Sequence, residues 1–362
     1  MTTKKSAYTL ASVFIGTVIG AGFASGQEIL QFFGTYGMKG ILGVFIITIL
    51  FMLLGMVVLN TVFTKRIKSF EEFSSMYFEK RFFNVINIVL IFLLFTSYTV
   101  MLSGGGAVAY ENFNIPYKYG IIAMALVTFL VFLFGVKGIA NVNKAIVPFL
   151  VFIILWVGLN VIYKNEFIFS NLHTSPLIDS NIFDNVNGVK YLIIKILSDF
   201  KWVLSACTYF AYNTIGATVV MSSLNPLIAN KKAAKLGGLL GGIILGILAL
   251  TIFLSLLVLH SSVIGLEVPM IKVASSLSNT WKNLYSLVLL LSMFTTAVAN
   301  GYGCIAGLSN LTGIHKSIIS IAVCIIAIPL ATLGFKNLVT FVYPLFGYIG
   351  MLFILSIIFK KK

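Results

Sequence analysis

Gly16-Thr17-Val18-Ile19-Gly20-Ala21-Gly22-Phe23-Ala24-Ser25-Gly26-Gln27-Glu28 lies within an apolar run over roughly 8–33. Four of its first eleven residues are glycine, and each weakens a helix by about 1 kcal/mol. At membrane depth, backbone that leaves the helix must line a cavity or be buried in protein. A break near Gly20–Phe23 frees carbonyls from one half-helix, which suit a cation. It also frees N–H groups from the next, which suit a carboxylate. The Gly16–Gly20 spacing also fits a GxxxG packing face between helices, and the two readings are compatible.

Outward from this stretch, the chain is apolar to its last residues. Of 362 residues, 59% are hydrophobic, 14% aromatic and 10% charged, and the mean hydropathy is +1.04. A soluble domain carries about 25% charged residues, so an ordinary soluble enzyme and a disordered chain are excluded. Apolar runs of spanning length fall at roughly 8–33, 39–63, 84–110, 118–135, 145–163, 190–222, 236–260, 283–310, 317–334 and 338–359. They predict an all-α polytopic membrane protein with ten transmembrane helices. The net charge is +15. Its cations sit between apolar runs, so it reads as loop bias and not as a nucleic-acid surface. With both termini cytoplasmic, sixteen of the 25 Lys+Arg fall on the inner side, including Lys4, Lys65, Arg66, Lys137, Lys144, Lys231 and Lys316. Cys207, Cys304 and Cys324 have no metal-ligand or CxxC spacing and read as reduced packing residues.

Landmarks repeat at a fixed offset. Ile19-Gly20-Ala21 recurs as Ile215-Gly216-Ala217, Lys39 as Lys235, and Gly138, Asn141 and Pro148 as Gly334, Asn337 and Pro344, all 196 residues on. The expected organisation is one transporter domain, with five helices in 1–163, an extracellular linker over 164–189, and five helices in 190–362. An odd number of crossings per half inverts the second half, a hallmark of secondary transporters. Span six carries Tyr212-Asn213-Thr214 before Gly216, and a second break is expected there. In span eight, Ser292, Thr295 and Thr296 share a helical face. Their hydroxyls read either as hard-oxygen cation ligands or as groups bonding their own helix. Glu28, Glu111 and Asp199 are acids placed toward the outer surface, and Glu28 is the candidate gate or proton-linked residue. No Ser/His/Asp set, HExxH, P-loop or carboxylate pair is visible, so no enzyme and no cofactor are expected.

The Gly16–Glu28 run, Tyr212-Asn213 and Thr295-Thr296 resemble the YkvI-like family of bacterial membrane proteins. That family is similar to the amino acid–polyamine–organocation superfamily, which has the LeuT fold. The resemblance covers essentially the whole chain. It implies a LeuT-like five-plus-five inverted repeat with helices one and six broken. It further implies a Na+ site made by the carbonyls of Gly16, Ile19 and Ser292 and the hydroxyls of Thr295 and Thr296. The substrate carboxylate would meet Gly20, Ala21, Gly22 and Phe23, with Tyr98, Ser103, Tyr212, Asn213 and Thr214 lining the rest. The Gly104-Gly105-Gly106 run reads either as close helix packing or as a widened cavity.

The expected function is Na+-coupled symport of an amino acid or similar small zwitterion, by alternating access, in a bacterial inner membrane. Two alternatives stay open: a proton-coupled or uncoupled exchanger on the same fold, and a non-transporting ligand sensor. The partners implied are a small-molecule substrate and the lipid bilayer, with no nucleic acid. Oligomeric state is not legible.

Overall fold

The chain runs through α1 (Thr3–Val18), the short α2 (Ala21–Ala24) and α3 (Gln27–Phe32), then α4 (Met38–Lys65), α5 (Phe70–Ser75), α6 (Lys80–Phe113), α7 (Tyr117–Phe134) and α8 (Ile139–Lys164). It continues through α9 (Val189–Ser222), α10 (Lys231–Val258), α11 (His260–Val263), α12 (Pro269–Ser275), α13 (Asn279–Thr312), α14 (Lys316–Ala331) and α15 (Phe335–Phe359). The structure is a computed structural model describing residues 2–78, 80–134, 139–165 and 189–359. Of these, 80–84, 134, 139–145, 189–199 and 357–359 are described as backbone alone. Most of the expected 164–189 linker, with Lys137 and Gly138, lies outside the described residues, as do the side chains of Lys144 and Asp199. No strand occurs among the described residues.

Among the described residues, seven helices are long and apolar enough to cross a membrane: α4, α6, α8, α9, α10, α13 and α15. α7 and α14 are shorter apolar helices. Several of the helices run a few residues past the apolar runs, because polar end residues continue the turn into the interface. α4 shows why a bilayer is its solvent. Ile47, Phe51, Val58 and Leu59 on one face are buried, while Leu42, Phe45, Ile49, Leu53 and Val57 on the other are exposed. A helix apolar all round belongs in a membrane or a large core.

Helix lengths recur in order. α4 and α10 each have 28 residues, and α6 and α13 each have 34. α7 and α14 have 18 and 16, and α8 and α15 have 26 and 25. Pro148 and Pro344 lie inside α8 and α15.

α10 is packed through glycine. A methyl group on Gly238 would overlap the backbone of Gly55 and Met56 in α4. One on Gly242 would overlap Met52, and one on Gly246 would overlap Thr48. Gly237 and Gly241 meet Leu10 and Phe14 of α1 in the same way. Two stripes at four-residue spacing therefore let α10 approach α4 and α1 at backbone distance, the small-residue solution to packing without a hydrophobic driving force. Gly104, Gly105 and Gly106 likewise abut Met293, Met124 and Ile121. That run is close packing and not a widened cavity.

The two ends of the bundle differ. At one end, Asn230 Nδ2 donates to Thr3 Oγ1 at 2.8 Å, Ser6 Oγ to Leu227 O at 2.7 Å and Asn225 Nδ2 to Ile67 O at 2.9 Å. This gathers the start of α1, the end of α4 and the α9–α10 turn, with Lys4, Lys65, Arg66, Lys68 and Lys231 among them. At the other end, the Glu111 carboxylate accepts from Glu267 N–H at 2.6 Å and from Val268 N–H. Glu267 Oε2 in turn accepts from Lys336 N–H at 2.6 Å. Glu111 thus serves the N-terminus of α12, as a cap does.

Candidate functional site

α1 stops where Ile19 (φ −74°, ψ 82°) and Gly20 (φ −87°, ψ −179°) leave helical geometry. Gly20 N–H donates to Val18 O at 2.8 Å. The Gly16 carbonyl therefore loses its regular i+4 donor. The N–H groups of Ala21, Gly22 and Phe23 are the first-turn donors of α2, which helix geometry leaves over.

The α2–α3 piece is held from behind. Tyr285 of α13 donates its hydroxyl to Ala24 O at 2.6 Å, and Met270 N–H of α12 donates to Ser25 O at 3.0 Å. Ser25 Oγ donates to Gly22 O at 2.8 Å and accepts from Gln27 N–H at 3.2 Å. Gly26 joins the two helices at φ +80°, where a Cβ would also come within 2.8 Å of Met270 Cγ. A left-handed residue against a close neighbour is a place for glycine.

That turn aims Glu28 back into the protein. Glu28 is 3% exposed. Its carboxyl packs on Gly22, so closely that a methyl group there would overlap Oε1. The hydroxyls of Tyr209, Tyr212 and Tyr343 are near enough to feel its charge. Tyr209 stands beside the carboxyl, yet neither its hydroxyl nor Glu28 Oε2 has a well-formed hydrogen bond. Gln27 Oε1 is also buried without a partner. Tyr212 and Tyr343 stack at 4.4 Å between ring centroids, 19° apart. An added Cβ at Gly20 or at Gly216 meets nothing within 4 Å, so both glycines border open space.

The expected break in helix six is corrected by the structure. α9 is continuous from Val189 to Ser222. Its polar residues are satisfied along the helix: Asn213 Nδ2 donates to Tyr209 O at 3.1 Å and Thr214 Oγ1 to Phe210 O at 2.8 Å. Side chains that bond the preceding turn supply no competing backbone geometry, and a single glycine does not break a helix.

The remaining expected residues are placed as follows. Gly16 faces Val147 of α8, with 3.3 Å from an added Cβ to the side chain. Ser292 and Thr295 are buried and Thr296 half-buried on α13, and Thr295 Oγ1 donates to Ser292 O at 3.1 Å. Tyr98 and Ser103 point into neighbouring helices. The Tyr98 hydroxyl lies 3.1 Å from Thr128 Oγ1 and 3.3 Å from Cys324 Sγ. Ser103 Oγ lies 2.6 Å from the Tyr117 hydroxyl and donates to Ala331 O at 2.8 Å. Sequence reasoning missed Tyr209, Tyr285 and Tyr343. A signal for Tyr343 exists in the 196-residue offset. The Gly16–Val147 contact of α1 and α8 maps onto Tyr212–Tyr343 of α9 and α15.

An interrupted helix beside a buried acid thus lies inside a bundle whose long apolar helices mark a polytopic membrane protein. No family model matches the chain. The chain is 31% identical over 360 residues to the membrane protein YkvI of Bacillus subtilis (strain 168), covering 99% of this chain and 97% of that one. It belongs to the YkvI family of membrane proteins. Protein YyaD of the same organism is 26% identical over 339 residues, covering 94% of this chain and 92% of its own. Among solved structures, the manganese transporter of Eremococcus coleocola, in complex with an aromatic bis-isothiourea substituted compound, aligns with TM-score 0.58 at 15% identity. The alignment covers 98% of this chain and 78% of that one. A point mutant of that transporter aligns at TM-score 0.59, with 14% identity and the same coverage. The shared feature is the fold.

Proposed function

We propose that this chain is a secondary active transporter that carries an amino acid or similar small zwitterion by alternating access, coupled to Na+. The observation that carries the reading is the interruption at Ile19–Gly20. It frees a carbonyl and three N–H groups at one point in the bundle and borders open space. In this reading there are ten crossings: the seven long helices, α7, α14 and the composite α1–α2–α3. They form two five-helix halves of opposite orientation, with both termini on the cytoplasmic side of a bacterial inner membrane. The matched helix lengths and the matched pairs Gly16–Val147 and Tyr212–Tyr343 support the two halves.

Na+ is held by the carbonyls of Gly16, Ile19 and Ser292 and the hydroxyls of Thr295 and Thr296, oxygen donors suited to a hard cation. Thr295 keeps its lone pairs for this while donating to Ser292 O. The cargo lies against Gly20 to Phe23, with Tyr212, Asn213 and Thr214 across from it. Tyr98 and Ser103 shape the wall from behind. Manganese, the cargo of the structural relative, is not carried over. Among the described residues no three His, Cys, Asp or Glu side chains group together, and imidazole or carboxylate ligands are what such a metal selects. No enzymatic activity is part of the reading.

A second reading, proton coupling at Glu28, is favoured by the burial of that carboxyl with Oε2 unpartnered. Thermal unfolding of the detergent-purified protein in Na+ and in K+ at matched ionic strength separates the two. A native-state ligand stabilises by about 2.7 kcal/mol at a hundred times its Kd. The expected outcome is stabilisation specific to Na+, lost in Thr296→Ala. Equal melting in both salts, with solute flux in proteoliposomes that follows pH, moves the coupling to Glu28.

A further inference from the structure

We infer that Glu28, with Tyr209, Tyr212 and Tyr343 around it, is the subsite for an ammonium group on the transported solute. This rests on the transporter reading above and names the charge its cargo must carry.

Four observations converge on it. Glu28 is 3% exposed, and its Oε2 has no hydrogen-bond partner. A buried acid with an oxygen that lacks a well-formed hydrogen bond is costly and points to a functional site. The groups about it are hydroxyls and aromatic rings: Tyr209 beside the carboxyl, with Tyr212 and Tyr343 within reach of its charge. Hydroxyl oxygens accept from an ammonium, which has three donors and no acceptor. Open space also borders Gly20 and Gly216, and Tyr212 shares one face of α9 with Gly216 at i, i+4. Finally, the carboxyl is fixed in place by its packing on Gly22, with no space for a Cβ between them. An ammonium group set against the carboxyl offers Oε2 a well-formed donor.

The test is equilibrium binding to the detergent-purified full chain. Ethylammonium and butane-1,4-diammonium chlorides are compared with sodium acetate and succinate at matched ionic strength and fixed Na+, read as a shift in melting temperature. The ammonium probes are expected to stabilise the wild type more than the carboxylates do. In Glu28→Gln, nearly the same size but neutral, the apparent ammonium affinity is expected to fall at least about tenfold. In Tyr212→Leu, which keeps the acid and removes one ring, it is expected to fall several-fold. Stabilisation by carboxylates alone, by no probe, or undiminished in Glu28→Gln overturns the proposal. If Glu28→Gln does not fold, undiminished affinity in Tyr212→Leu overturns it instead. Binding is read without flux, so the two readings fail separately. Amines that bind but are not moved in proteoliposomes remove transport and leave the subsite. Flux of a solute with no ammonium group, unaffected by Glu28→Gln, removes the subsite and leaves transport.

Discussion

Gly22 and Glu28 compete for one volume. The carboxyl of Glu28 rests where the side chain of any residue but glycine at position 22 would begin. Gly22→Ala must therefore push the acid away or move α2 off Tyr285 and Met270, which hold its far end. Overpacking of a filled site costs about 1–3 kcal/mol. The expected outcome is a lower melting temperature for Gly22→Ala and partial recovery in Gly22→Ala/Glu28→Ala, where the smaller residue at 28 returns the space. The interaction free energy of that double-mutant cycle measures the contact, and additive effects would sink the packing argument. Glu28 also shows where a residue-level reading stops. Its identity in the Gly16–Glu28 run flagged it as an acid with a role. Its burial did not follow, because the direction of α3 depends on the left-handed turn at Gly26 and on the docking of α12, 242 residues further along the chain.

Among the elements, α1 and α9 respond differently to similar sequences. Ile-Gly-Ala occurs in both at the same repeat position, but only α1 is interrupted. The stretch from the end of α1 to the start of α3 has Gly16, Gly20, Gly22 and Gly26 within eleven residues, whereas α9 has Gly216 alone in the matching stretch. The helix cost in α9 is about 1 kcal/mol, and the bonds of Asn213 and Thr214 to the preceding turn stay within the helix. Helix existence and span order were thus legible from apolar length, and the first interruption from glycine density. The state of α9 depended on where polar side chains turn. The glycines of α10 are a further element-level feature, readable as Gly237-Gly238 and Gly241-Gly242 at four-residue spacing. Their partners in α4 and α1 required the fold. Gly238→Ala and Gly242→Ala are expected to lower thermal stability markedly, since the atoms in the way are α4 backbone, and backbone shifts cost about 1–3 kcal/mol or more. Gly20→Ala meets no neighbour and is expected to melt like the wild type. Equal melting of all three variants would remove backbone contact as the reason for the α10 glycines.

At the scale of the whole molecule, charge and topology can be tested together. The start of α1, the end of α4 and the α9–α10 turn meet at one end through the Asn230–Thr3, Ser6–Leu227 and Asn225–Ile67 bonds. That end carries Lys4, Lys65, Arg66, Lys68 and Lys231 and a cavity of about 750 Å³ lined in part by Arg66, Lys68 and Lys231. The opposite end brings Glu111 and Glu267 to the start of α12 and of α15. Basic residues near helix ends are retained on the cytoplasmic side, so the Arg66 end is expected to face the cytoplasm and the Glu111 end to face outward. The 196-residue repeat alone left the sidedness open, because inversion relates the halves without saying which face is inside. Exposed positions on each end provide the measurement: Lys68 and Lys231 at one, Lys118 and Ser262 at the other. Single cysteines are placed at these positions in a chain whose Cys207, Cys304 and Cys324 are replaced by serine or alanine, and a membrane-impermeant thiol reagent is applied. In intact cells it is expected to label Lys118→Cys and Ser262→Cys and to spare Lys68→Cys and Lys231→Cys. In inside-out vesicles the pattern is expected to reverse. Labelling of Lys68→Cys and Ser262→Cys from the same side would break the odd number of crossings between α4 and α11 and, with it, the inverted halves on which the transport reading depends.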